Sequence, residues 1–106
     1  MFCRVMRLMV FFDLPTTTSK DLQEYRHFRK FLLKNGFIMM QESVYCKLAL
    51  NNGSLELIKK QIKKNLPASG LVQILSVTES QFAKIEYLVG EKSFKEIDSM
   101  QRIIKL

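Results

Sequence analysis

Val5-Met6-Arg7-Leu8-Met9-Val10-Phe11-Phe12-Asp13-Leu14-Pro15 is the stretch that decides the fold. From Val5 to Phe12 nearly every residue is apolar, as in a strand covered on both faces. Pro15 removes a backbone donor and ends the pairing just after Asp13. Outward from this strand, Thr16 to Ser19 supply capping hydroxyls. Leu22, Tyr25, Phe28 and Leu32 then recur at helical spacing until Asn35-Gly36 offers a C-cap. Phe37 to Met40 and Ser43 to Leu50 read as two strands joined tightly at Gln41-Glu42. The second sets Val44, Cys46, Leu48 and Leu50 against Ser43, Tyr45, Lys47 and Ala49. A second helix is expected from about Ser54 to Lys64, burying Leu55, Ile58 and Ile62 before Asn65 and Pro67 end it. Leu71 to Val77 reads as a fourth strand. Ala83, Ile85, Tyr87 and Val89 alternate with Lys84 and Glu86 as an expected fifth.

Strand, helix, strand, strand, helix, strand is the split βαβ order of an α+β, ferredoxin-like βαββαβ sandwich, here with a fifth strand and a C-terminal segment added. Residues 1–90 form the expected domain. Residues 91–106 form a segment whose Phe94, Ile97, Ile103, Ile104 and Leu106 must dock on this chain or on a partner. Both helices would cover one face of the sheet. The other face carries the remaining parity of the apolar first strand, and a symmetric dimer is its simplest cover.

With 106 residues and 47% hydrophobic content, the chain supports one core and not two. At this length roughly two-thirds of the unfolded surface is buried on folding, so no disulfide or metal staple is needed. The longest apolar run, Leu8 to Phe12, falls far short of the roughly 18 residues that suggest a membrane span. No secretory signal is visible at Met1-Phe2-Cys3-Arg4, and Cys3 and Cys46 lack the spacing of a redox or zinc motif; a cytoplasmic location with reduced thiols is expected. With glycine only at positions 36, 53, 70 and 90, no phosphate-cradling loop, dinucleotide fingerprint or nucleophile elbow can be written.

The net charge is +7, and residues 20–64 carry +6 of it, from ten basic and four acidic side chains. Arg26, Arg29, Lys30 and Lys34 share the outer face of the first helix, and Lys59, Lys60, Lys63 and Lys64 that of the second. Two basic ridges suit a polyanion, nucleic acid before an anionic membrane, although a merely well-solvated surface has the same composition. Nothing resembles a base-reading element, so these side chains would meet phosphate without reading sequence.

Three further features carry two readings each. His27 is either a solvated helix residue or a proton-transfer group beside a phosphate. Asp13 is either a turn acid bonded to nearby amides or a metal ligand. A single carboxylate is a poor magnesium site, whereas two copies brought together across a twofold axis could share one ion for phosphodiester hydrolysis. Phe11 or Phe12 with Tyr45 could stack RNA bases on an open sheet, or pack in the core or a dimer contact. The methionines Met6, Met9, Met39 and Met40 lie in strand segments and fit packing better than metal binding.

The run Arg4 to Pro15 resembles the opening strand and acidic turn of the CRISPR-associated protein two family. Tyr25-Arg26-His27-Phe28-Arg29-Lys30-Phe31-Leu32, Asn35-Gly36-Phe37, Gln41-Glu42-Ser43-Val44-Tyr45-Cys46-Lys47-Leu48 and Thr78-Glu79-Ser80-Gln81-Phe82 resemble the variant associated with type II-A systems. The likeness spans about residues 4 to 90. It implies a homodimer in which the C-terminal segment packs across the partner's sheet, giving Ile103, Ile104 and Leu106 a place to be buried. It also implies a role in spacer acquisition, the dimer bridging two dimers of the CRISPR integrase (the CRISPR-associated protein one family) on a short DNA duplex. Family members are further described as magnesium-dependent endonucleases in which the acid ending the first strand holds the divalent cation, a role that would fall to Asp13. The alternatives are a stand-alone metal-dependent endoribonuclease or deoxyribonuclease, and a module binding single-stranded RNA on the sheet face. His27 stands where relatives often carry Lys.

Overall fold

The computed structural model describes residues 5–90. Strand β1 (Met6–Asp13) runs through the middle of a four-stranded antiparallel sheet. β3 (Val44–Ala49) lies on one side of it, β4 (Leu71–Thr78) on the other, and β2 (Ile38–Gln41) lies outside β3. Helices α1 (Ser19–Lys34) and α2 (Asn52–Lys63) complete the βαββαβ order, and a single turn, α3 (Glu79–Phe82), follows β4. The expected ferredoxin-like arrangement is therefore present.

Period-two alternation sorts β1 between two clusters. Leu8, Val10 and Phe12 face the helices, where they meet Phe28 and Leu32 of α1, Leu55, Ile58 and Ile62 of α2, and Tyr45 and Ala49 of β3. Phe12 is the hub. Its ring stands edge-on to Phe28 at 5.3 Å and lies stacked with Tyr45 at 5.5 Å. Truncating such a residue to alanine costs about 3–5 kcal/mol.

Local chemistry sets the helix ends. The Thr18 hydroxyl accepts from the Asp21 amide at 3.0 Å, and the Asp21 carboxylate accepts from the Thr18 amide at 3.1 Å, a reciprocal capping box. α1 stops where Gly36 adopts φ +86°: the Phe37 amide donates to the Leu32 carbonyl and the Gly36 amide to the Leu33 carbonyl, a Schellman closure. Lys47 donates to the Asn35 carbonyl at the same end, where the helix dipole favours a cation. Asn51 caps α2 through Ser54, which starts that helix two residues before the position expected from hydrophobic spacing.

The expected strand set needs one correction. The alternation from Ala83 to Val89 does not form a fifth strand. Thr78 and Gln81 make a second capping box that turns the chain into α3, and residues 83–90 continue without strand pairing. Phe82 and Ile85 instead fold onto the open face of the sheet against Met9 and Cys46, so the chain itself provides part of the cover expected from a dimer. Of the two readings open for Phe12 and Tyr45, the structure shows core packing, because both lie under the helices with exposures of 5% and 0%. The expected C-terminal contacts through Ile103, Ile104 and Leu106 lie outside the described residues.

Candidate nucleic-acid interface and acidic turn

Asp13 is the last residue of β1, paired with Leu71 at the first position of β4. It shares the parity of Met9 and Phe11, so it belongs to the open face, and it is exposed. The next residue, Leu14, turns back into the helix-covered core. This reversal depends on Gly70, which has φ +99°. A Cβ there would stand 2.7 Å from Leu14 Cδ2 and 2.9 Å from the Asp13 carbonyl oxygen, too close for any other residue without a shift of the turn. Sequence reading missed Gly70. The available signal was a glycine immediately before a strand, a frequent sign of close backbone approach.

No cation pairs with Asp13 among the described residues. Among the described residues no three His, Cys, Asp or Glu side chains gather in a metal-ligating group. At this turn one chain thus offers a single carboxylate, at the edge of an apolar face. Magnesium is held by one or two carboxylates together with water and substrate oxygens, so this donor set fits half of a site that a second copy would complete.

The structure brings the four expected α1 cations onto one helix face, Arg29 less openly than the others. Arg26, Lys30 and Lys34 are exposed, Arg29 is half-buried, and together with Leu33 they line a surface hollow of about 550 Å³. The acids of α1 are turned to other tasks: Asp21 completes the capping box, and Glu24 accepts from the Ala68 amide at 2.8 Å, tying α1 to the loop before β4. None of the four α1 cations has an ion-pair partner among the described residues. On α2, Lys60, Lys63 and Lys64 are exposed, but Lys59 is half-buried and meets Glu56 at 3.2 Å. Lys59 is therefore not the outward-facing cation that helical spacing suggests. His27 is exposed, as a solvated helix histidine would be.

Between α1 and the β2–β3 turn a second hollow of about 340 Å³ is lined by Leu22, Tyr25, Arg26, Arg29, Met39 and Glu42. Tyr45 is fully buried nearby, and its hydroxyl oxygen has no hydrogen-bond partner among the described residues. Burial pushes its phenol above the ordinary tyrosine range, and the Arg29 guanidinium works in the opposite direction.

On the open face, Arg7 donates two 2.8 Å hydrogen bonds to Glu79 and lies over the Phe82 ring at 4.5 Å. The Glu79 hydrogen bonds raise the Arg7 pKa further, against the opposing effect of burial. An arginine inside an apolar strand was the sequence signal for this pairing, since a half-buried guanidinium demands an acceptor.

Among the described residues no helix is long and apolar enough to cross a membrane. The family model described as "CRISPR associated protein Cas2" matches residues 6–85. A protein of Treponema denticola named CRISPR-associated endoribonuclease Cas2 is 48% identical over 101 residues, covering 95% of this chain and 100% of the relative. A Streptococcus mutans protein of the same name is 46% identical over 101 residues, covering 95% of this chain and 93% of its own. One from Acidovorax ebreus, also so named, is 42% identical over 91 residues, covering 86% and 89%.

Proposed function

The chain belongs to the CRISPR associated protein Cas2 family, and from that premise we propose that it acts in spacer acquisition as a homodimer that binds duplex DNA and bridges two dimers of the CRISPR integrase. The observation that supports this reading is the family match across residues 6–85 joined to two cationic ridges whose side chains, Lys59 apart, have no ion-pair partner among the described residues. Arg26, Arg29, Lys30, Lys34, Lys60, Lys63 and Lys64 meet phosphate, with Lys59 held back by Glu56. The open face supports the dimer: Leu71 and Leu75 remain 54% and 51% exposed on β4, beside Asp13 at its end.

At the seam two copies of Asp13 would hold a magnesium ion, or another divalent cation, whose charge would polarise a phosphodiester. Asp13 supplies the negative charge that retains the cation, and Gly70 holds the turn that presents it. The name endoribonuclease borne by the relatives favours a second reading, a stand-alone metal-dependent endoribonuclease, in which this same site would cleave RNA.

One set of measurements tests both. Asp13→Asn keeps the side-chain shape and removes its charge, so magnesium-dependent cleavage of RNA or DNA is lost while duplex binding and co-purification with the integrase persist. Persistent cleavage by rigorously purified Asp13→Asn protein rejects the metal role. Affinity for duplex DNA that does not fall as salt rises rejects the phosphate ridges, and failure to retain the integrase, with or without duplex, rejects the bridge.

A further inference from the structure

A hollow of about 640 Å³ lies where the C-terminal end of α1, the end of β3 and the side of α2 meet. Leu48, Leu50 and Leu57 line it, and they are 40%, 62% and 57% exposed. A lone exposed leucine is ordinary, but three around one hollow make an apolar patch of the kind that another molecule covers. The cationic ridges do not account for it. A phosphate backbone gives leucine nothing to pack against, and of the ridge cations only Lys34 lines the hollow.

The charge beside the patch has one sign. Lys34 and Lys47 line the hollow and no acidic side chain does, and neither lysine has an ion-pair partner among the described residues. Lys47 is held in place, because its amine donates to the Asn35 carbonyl and lies 6.0 Å from the centre of the Phe37 ring. Ser54 brings the first turn of α2 to the same hollow, and that turn holds no acid, so the positive end of the helix dipole adds to the lysines. Leucines bordered by uncompensated positive charge are complementary to a protein segment that carries apolar side chains and carboxylates together.

We propose that this hollow is the docking site for an acidic, apolar segment of a partner protein, its apolar side chains on Leu48, Leu50 and Leu57 and a carboxylate facing Lys34 and Lys47. The proposal rests on the bridging reading above, in which the segment belongs to the integrase, and it gives that bridge a surface that duplex DNA does not need.

The test measures binding of the purified integrase to the full chain by interferometry, in the absence of duplex. Leu50→Ser combined with Leu57→Ser replaces two side chains that are more than half exposed, so the fold persists, and integrase affinity falls by about tenfold or more. Leu66→Ser, at a leucine that is 51% exposed and outside the hollow, leaves it unchanged. The sign of the partner's charge is read at a single position: Leu57→Glu weakens binding about threefold more than Leu57→Lys. These two single variants also decide the matter if circular dichroism finds the double variant unfolded. Undiminished affinity in the double variant, an equal loss in Leu66→Ser, or a loss with Leu57→Lys as large as that with Leu57→Glu overturns the site. Duplex affinity and molecular mass are measured on the same proteins. A fall in duplex affinity in the double variant assigns the hollow to nucleic acid, and a change from dimer to monomer assigns it to a second copy of this chain; either outcome rejects the proposal. Failure of the unaltered chain to retain the integrase rejects the bridge and this occupant with it, whereas equal retention by the unaltered chain and the double variant rejects the hollow alone.

Discussion

Arg7 of β1 and Glu79 of α3, 72 residues apart in sequence, are joined by two parallel hydrogen bonds of 2.8 Å on the open face of the sheet. The guanidinium also lies over Phe82, so one side chain fastens the turn after β4 by charge and by ring contact. Because the Arg7 side chain is only 11% exposed, the pair is shielded on one side, though Glu79 stays open to solvent at 41%.

Removing the carboxylate should therefore release α3 more than it unfolds the core. Glu79→Gln is expected to cost about 1–2 kcal/mol in urea denaturation, the range for a charge-assisted pair that is partly desolvated. Amide exchange around Phe82 and Ile85 should rise while that of Leu8 and Val10 follows only the global change. Exchange that accelerates equally at all four would mean that the pair supports the sheet rather than the turn.

Gly70 is the residue whose replacement couples stability to the acidic turn. Gly70→Ala places a Cβ 2.9 Å from the Asp13 carbonyl oxygen and 2.7 Å from Leu14, at a φ that L side chains disfavour. About 1–3 kcal/mol of destabilisation is expected, and the displaced turn should raise the magnesium concentration needed for half-maximal cleavage. A variant destabilised to that extent but cleaving with an unchanged metal requirement would separate Gly70 from the placement of Asp13.

How much of this was legible depends on what period-two and period-3.6 patterns can carry. They placed β1, its acidic end and both cationic ridges, because each needs only local spacing and a cap. The same rule misled at Ala83–Val89. Alternation records which residues would share a face and says nothing of whether a neighbouring strand is present to pair with, and the Thr78–Gln81 capping box redirected the chain first. Tyr45 was assigned to the right parity of β3, but only the pairing of β3 with β1 shows that this parity lies beneath α1. Likewise Lys59 falls on the outer side of α2 by spacing, and only the structure shows it half-buried and paired with the exposed Glu56 one turn earlier. Long-range pairs such as Arg7–Glu79 and close approaches such as Gly70–Asp13 leave in sequence only an odd residue in an otherwise regular pattern.

The difference between paired and unpaired cations can be read in the salt dependence of duplex binding. Each phosphate contact contributes about 0.9 to the slope of log affinity against log salt. Lys30→Ala with Lys34→Ala should lower that slope by about two, whereas Lys59→Ala, already occupied by Glu56, should change it by well under one. Anisotropy titrations at four salt concentrations resolve these values. An equal effect of Lys59 would show that the Glu56 contact yields to DNA.

Tyr45 gives the fold a pH dependence of definite sign. Its phenol is held above the ordinary value of 10.0 in the folded chain because burial disfavours the phenolate more than Arg29 favours it. Below about pH 9 both folded and unfolded chains keep the proton, and Tyr45 adds no slope. As pH rises through about 10 the unfolded chain releases a proton that the folded chain retains, so stability falls until the folded phenol also ionises. Tyr45→Phe removes this contribution and also relieves an unpartnered buried hydroxyl, which should stabilise the protein by about 1 kcal/mol at neutral pH. Urea denaturation of both proteins from about pH 8 to 11 should thus give curves whose separation widens above pH 10. Curves that stay parallel across that range, or a Tyr45 phenol that ionises at the ordinary tyrosine value, would show that the phenol is in contact with solvent rather than sealed beneath α1.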